Sequence, residues 1–372
     1  MAKPTPKQRK KKGARTGFTT GACSAAAARA AAIGLMTGKV PEQVLSLLPN
    51  GDRVRFNVIE GYCHDHQAHA VVIKDAGDDP DVTDKAHLTA DLRIMPNHRK
   101  QILLVGGEGV GQVTQPGLGL EIDGPAINPV PQQNIRQNVT EVAAPLLEKS
   151  GIEVTLSVPG GEELAQRTLN PRLGIIGGIS ILGTSGIVHP WSTAAFRACV
   201  VQAIEVAARQ GQQSIVLTTG GRTEKFMMRE HPELAEASFV QMGDFLKPAF
   251  DTLVAQQIPH VIIGGMVGKL TKMAQGETIT HANRNPVNMS LVAEIAASIG
   301  ADDNLCQQIA QAKTARFALE QLSEIGLQQP FLQALGRRVI TTLKARYPGK
   351  FTLQVLICDF ESNRLAEISD AE

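Results

Sequence analysis

Residues 75–84 read DAGDDPDVTD, so Asp75, Asp78, Asp79, Asp81 and Asp84 crowd together behind an apolar run. Carboxylates this close raise one another's pKa, because each negative charge opposes the next. This can keep one of them protonated as an acid or poised as a base near neutral pH. The same oxygens suit Mg²⁺ or Ca²⁺, and a solvated Asx-rich turn accounts for the string equally well. Upstream, RTGFTTGAC at residues 15–23 places glycines and hydroxyls ahead of an alanine-rich stretch. The unpaired N–H groups of a helix start there favour a carboxylate or phosphate; the alternative is a helix capped by Thr20 and packed through its alanines. His64, His66 and His69 lie beside Asp65 in an expected hairpin turn. Two of them can aim to one side for a metal, although histidines in a surface loop are commoner.

Three glycine loops follow. GGEGVGQVTQPGL at residues 106–118 approximates a dinucleotide fingerprint, but Val113 and Thr114 continue it as a strand, and the fingerprint requires a helix. It reads as a loop that lets a ligand approach the backbone. TTGGRTEKF at 218–226 and IGGMVGKLTKMAQG at 263–276 each leave an apolar run through glycines into basic residues. Such loops bind ligands at the carboxyl ends of parallel strands, and they also serve as plain strand-to-helix turns. Arg222, Lys225, Lys269 and Lys272 tip them toward an anion.

Elements must hold these groups in place. At 372 residues, with 43% hydrophobic and 20% charged residues, the chain suits two globular domains. Apolar periodicity predicts a helix over 22–35, ended by Gly38, then strands at 54–59, 70–74, 88–95 and 102–105. A Pro-rich passage at 116–131 precedes a helix over 133–149 and a strand at 153–158. Beyond residue 173, strands at 175–177, 214–218, 260–264 and 353–359 alternate with helical stretches such as 192–210 and 286–299, the rhythm of βαβ units. The expected fold is therefore an N-terminal mixed-sheet α+β domain over 16–165 and a C-terminal three-layer, Rossmann-like α/β domain over 166–372. Residues 1–15, with seven Lys and Arg, read as a disordered basic tail.

Aromatic content of 4% and a formal charge of +1 argue against a nucleic-acid partner. No apolar stretch suits a membrane span or secretory signal, and five scattered cysteines suit a reducing compartment, so a cytoplasmic protein is expected. A homo-oligomer is left open. A Mg²⁺-dependent kinase or hydrolase built on the aspartates would lack a G-x-x-x-x-G-K-[ST] phosphate loop.

Taken in order, RTGFTTGAC, KDAGDDPDVT, GGEGVGQVTQPGL, PAINPVP, NPRLGIIGGISILGTSGIVHP, MGDF and GKLTKMAQGETITH span almost the whole chain. The sequence thereby resembles the cobalt-precorrin-5B C1-methyltransferase family, the CbiD type. The resemblance implies methyl transfer from S-adenosylmethionine to C1 of a cobalt-containing polycarboxylate tetrapyrrole. The cobalt belongs to the substrate, so the protein needs no metal. A corrinoid carrier or scaffold that binds without methylating is the alternative. On this reading Arg15, Thr19, Thr20, Arg136, Arg172, Arg222, Lys225, Lys269 and Arg284 are candidates for the substrate's acid groups. Asp78, Asp79, Asp81 or His281 is the candidate base, and Gly220, Gly221, Gly264 and Gly265 are candidates for the donor by fold analogy.

Overall fold

Alanine dominates the first helix, α1 (Thr20–Thr37), and this explains its position: almost every residue from Thr20 to Ala32 is buried. Side chains this small let a helix lie close to its neighbours, while alanine's helix propensity holds it straight. The computed structural model describes residues 13–280 and 286–370. The chain divides into two compact units, residues 1–192 and 193–372.

In the first unit a short strand, β1 (Gly17–Phe18), leads into α1. Thr19, rather than Thr20, is the N-cap; its hydroxyl accepts from the Ala22 N–H at 3.2 Å. Gly38 stops the helix in the left-handed region at φ 75°. The hairpin β2 (Gln43–Leu47) and β3 (Arg53–Asn57) stands apart from a five-stranded sheet made of β4 (Glu60–His64), β5 (Gln67–Ile73), β6 (His87–Met95), β7 (Ile102–Gly106) and a later strand. Then come β8 (Gln112–Val113), α2 (Pro129–Leu147), the fifth sheet strand β9 (Gly151–Ser157) and α3 (Gly161–Ala165). The sheet order is β4-β5-β6-β9-β7, antiparallel except where β7 runs parallel to β9. α1 packs on β5, β6 and α2 around one core that includes Leu88, Ile135, Val139 and Val154.

Residues 166–192 cluster with this unit, so the division falls at 192/193 and not at 165/166. The reason is pairing: β10 (Ile175–Ile176) joins β8 antiparallel, and β11 (Ile187–Val188) joins β1. The run at 175–177, expected as the opening strand of a parallel sheet, thus belongs to a two-stranded ribbon of the first unit.

The second unit runs α4 (Thr193–Arg209), β12 (Ser214–Thr218), α5 (Gly221–Glu230), β13 (Phe239–Gln241), α6 (Leu246–Ala255), β14 (His260–Gly265) and α7 (Val267–Ala274). It continues through α8 (Met289–Ser298), α9 (Asp303–Gln311), α10 (Ala315–Glu324) and α11 (Gln328–Arg346) to β15 (Thr352–Cys358) and β16 (Arg364–Ser369). The sheet order is β13-β12-β14-β15-β16, with the first four parallel and β16 antiparallel at the edge. Strand residues alternate between faces: Ile215, Leu217, Ile263 and Val355 meet one core, while Val216, Ile262 and Leu356 meet another with Phe226 and Met227 of α5. Burial on both faces makes such strands read as unbroken apolar runs. No helix of the described residues is long and apolar enough to cross a membrane.

Candidate active site

The aspartate loop follows β5, and each carboxylate in it has a defined partner. Arg15 grips Asp75 with two nitrogens at 2.5 and 3.0 Å, and the Gly77 N–H donates to the same carboxylate at 2.9 Å. These bonds hold the Asp75 pKa down at about 2. The Arg15 N–H donates to Asp78, the Trp191 N–H to Asp79 and the Ala76 N–H to Asp84, each at 2.8–2.9 Å. Asp81 accepts from the Lys74 ammonium at 2.7 Å and from both the N–H and hydroxyl of Thr83. Burial pushes the Asp81 pKa up, but the Lys74 charge and these bonds outweigh it, and the net shift is downward. The expected mutual raising is therefore reversed at Asp75 and Asp81, because Arg15 and the Gly77 N–H at the first, and Lys74 and Thr83 at the second, favour the charged form. Gly77 enables the turn: at φ 71° a Cβ there would lie 2.3 Å from the Arg15 carbonyl oxygen.

The start of α1 is closed by the segment before β11. Thr20 Oγ1 donates toward the Ser180 and Leu182 carbonyls and accepts from the Leu182 N–H at 2.9 Å. The Gly21 N–H donates to the Leu182 carbonyl at 3.0 Å. Thr19 and Thr20 are both buried, and the early N–H groups at Gly21 and Ala22 already have acceptors. RTGFTTGAC and GGISILGTSGIVHP thus interlock, which local pattern could not disclose.

In the second unit, β12, β14 and β15 end on one edge of the sheet. Connections from β12 run to β13 on one side and from β14 to β15 on the other, so the chain reverses between β12 and β14. Such a reversal opens a crevice at the carboxyl ends of the strands. Gly220 precedes α5 in extended conformation, and among the described residues nothing lies within 4 Å of where its side chain would begin; at Gly221 a Cβ would meet none of them nearer than Gln241 Nε2 at 3.7 Å. Gly264 and Gly265 differ. A Cβ on Gly264 would come within 2.4 Å of Met227, and one on Gly265 within 3.0 Å of Leu270, so these glycines permit close helix packing. The buried hydroxyl of Thr218, at the end of β12, has no hydrogen-bond partner among the described residues. Arg222 and Lys225 are exposed on the first turns of α5. Lys269 is tied to Asp244 and to the Thr280 carbonyl. Burial, followed by the charge of Lys269, lowers the pKa of Lys272.

The family model CbiD matches residues 7–190, and the model for the CbiD C-terminal domain matches residues 279–369. The chain is 64% identical to the cobalt-precorrin-5B C(1)-methyltransferase of Methylococcus capsulatus, over 98% of this chain and 96% of that protein. The chain belongs to the CbiD family. Proteins of the same name from Polaromonas naphthalenivorans and Salinispora tropica are 60% and 47% identical, over 96% and 94% of this chain and 98% and 91% of theirs. A solved cobalamin biosynthesis protein (cbiD) from Archaeoglobus fulgidus is 29% identical, with a TM-score of 0.38 over 70% of this chain and 80% of that one.

In this CbiD family member the remaining sequence-predicted residues are dispersed. Arg136, on α2, bonds to Gln132 and the Ile102 carbonyl, and Arg172 is half-buried after α3. His281 and Arg284 lie outside the described residues. His64 ends β4 and His66 lies in the β4–β5 turn, while His69 bonds to Asp91 at 2.7 Å and stacks on Tyr62. Among the described residues no group of three or more His, Cys, Asp or Glu is placed to hold a metal ion. Thr218 and Gly268, the latter also facing open space at the start of α7, escaped sequence reasoning. Their signal was present, since both lie within the two glycine runs at 218–226 and 263–276, but a hydroxyl's lack of a partner is a fact of packing.

Proposed function

We propose that this chain transfers the methyl group of S-adenosylmethionine to C1 of cobalt-precorrin-5B, giving cobalt-precorrin-6A in cobalamin biosynthesis. The observation that carries the reading is identity of 64%, over nearly the whole chain, to a protein bearing that activity in its name. In the reaction the bond from sulfur to methyl breaks, a carbon–carbon bond forms at C1, and the donor leaves as S-adenosylhomocysteine. Because a ring carbon attacks a sulfonium in line, alignment and exclusion of water are the protein's main tasks. The second unit is read here as Rossmann-like, with the donor at the β12/β14 crevice. Gly220 and Gly221 leave room for it, and the unpartnered Thr218 hydroxyl suits its polar groups. Gly264 and Gly265 shape the crevice by packing rather than by contact. Arg222 and Lys225 are assigned to the substrate's carboxylates, which an exposed guanidinium can hold through paired bonds. Arg15, Arg136 and Lys269 are assigned to positioning, given the internal partners each already has. Asp78 and Asp79 are the carboxylates assigned as candidate bases, with His281; Asp81 serves Lys74.

Incubation with cobalt-precorrin-5B and methyl-labelled S-adenosylmethionine under anaerobic conditions, read by mass spectrometry, tests the reading. The expected result is a single labelled methyl at C1. Tight tetrapyrrole binding without transfer would instead make the chain a carrier. Unchanged turnover in Asp78→Asn, Asp79→Asn and His281→Ala variants would remove all three as the base.

A further inference from the structure

Phe360 stands in the turn between β15 and β16 with about half its surface exposed, an unusual place for one of only eleven phenylalanines. Two guanidinium groups lie over its ring. Arg222, from the first turn of α5, is 5.8 Å from the ring centroid, and Arg316, from the first turn of α10, is 5.6 Å away. β12 and β15 are separated by β14, roughly 10 Å across at ordinary strand spacing. Arg222 therefore reaches from the end of β12 past the end of β14 to the ring at the end of β15. Among the described residues Arg222 meets no carboxylate, and Arg316 bonds to Glu320 through Nε at 2.7 Å. Its other two nitrogens have no partner there. Among the described residues the neighbouring Asp359 makes no ion pair with either guanidinium; its two oxygens accept from the N–H and side-chain amide of Asn363 and fix the turn.

We propose that Phe360, with Arg222 and Arg316, forms a platform for the flat, carboxylate-fringed macrocycle of the substrate. This rests on the function proposed above and adds Phe360 and Arg316 to the residues that position the tetrapyrrole. The half of the ring left exposed offers apolar surface to a planar π system, and the guanidinium groups over the ring can each take a carboxylate in a paired contact. Lys225, one helical turn beyond Arg222, adds a third cation to the same exposed rim. The number of cations decides the ligand: S-adenosylmethionine has one carboxylate, whereas the macrocycle carries several around its edge.

The test compares wild type with Phe360→Ala, Phe360→Tyr and Arg316→Gln, titrating cobyrinic acid, a cobalt corrinoid polycarboxylate, and separately S-adenosylhomocysteine. Melting temperatures check folding. Phe360→Ala is expected to weaken corrinoid binding about tenfold, with S-adenosylhomocysteine within about twofold and Phe360→Tyr near wild type. Arg316→Gln should weaken the corrinoid alone. In turnover, KM for the tetrapyrrole should rise while kcat holds. Unchanged corrinoid affinity in Phe360→Ala overturns the platform, and an equal loss of S-adenosylhomocysteine affinity gives the ring to the donor instead. If wild type neither binds corrinoid nor transfers methyl, the function itself falls; if it transfers methyl and Phe360→Ala is indistinguishable from it, only the platform does.

Discussion

At the scale of single residues, Lys74 is the most demanding group in the first unit. Its side chain is 1% exposed, and among the described residues its ammonium meets one carboxylate, that of Asp81. Removing one member of such a pair leaves a buried charge unbalanced, which costs about 3 kcal/mol. Asp81→Asn should therefore lower the urea midpoint and melting temperature by that order, while turnover of the folded protein stays near wild type. Acid should reveal the same pair. The folded-state pKa of Asp81 is lowered, so its contribution is present above the ordinary carboxylate value near ~4 and is lost as pH falls through the folded value. Urea melts at successive pH values should show wild type losing stability below ~4 more steeply than Asp81→Asn. Equal slopes would mean that the pair does not govern acid stability. The sequence disclosed the crowding of aspartates but not their charge state, because Lys74 and Arg15 come from either side of the loop and only the fold brings Arg15 across sixty positions.

Elements were legible where a local rule is strong and hidden where the partner is distant. The alanine run and Gly38 set α1 within two residues at each end, and the apolar runs at 214–218, 260–264 and 353–359 became parallel strands. The Thr19 cap was missed by one position, since Thr19 and Thr20 are chemically alike and only contact with residues 180–186 distinguishes them. The strand at 175–177 was assigned to the wrong sheet for a related reason, because two residues of strand carry no signal about which edge they join. That interlock makes its own prediction. Gly183 sits at φ 132°, and a Cβ there would fall 2.4 Å from Thr19 Oγ1. Gly183→Ala should thus force the cap and the 180–186 segment apart and cost about 2 kcal/mol, a disrupted cap combined with strained backbone. Circular dichroism melts check it, and a melting temperature equal to wild type would show that the segment adjusts without loss.

For the whole molecule, the proposed donor site falls in the second unit and the cap interlock in the first. Ligand that binds the native state raises its stability by RT ln(1 + [L]/Kd), about 2.7 kcal/mol at a hundredfold excess over Kd. S-adenosylhomocysteine should accordingly raise the melting temperature of wild type. Gly220→Val is the discriminating variant. Its backbone is extended, which valine adopts freely, and among the described residues nothing lies within 4 Å of a Cβ there, so the side chain fits the protein beside the proposed donor site. Gly220→Val is expected to melt like wild type without ligand and to lose the rise with S-adenosylhomocysteine, whereas Gly183→Ala should melt lower and keep the full rise. A full rise in Gly220→Val would move the donor away from the β12/β14 crevice. A lost rise in Gly183→Ala would tie donor binding to the first unit, where the aspartate loop and the closed start of α1 would then need a ligand of their own.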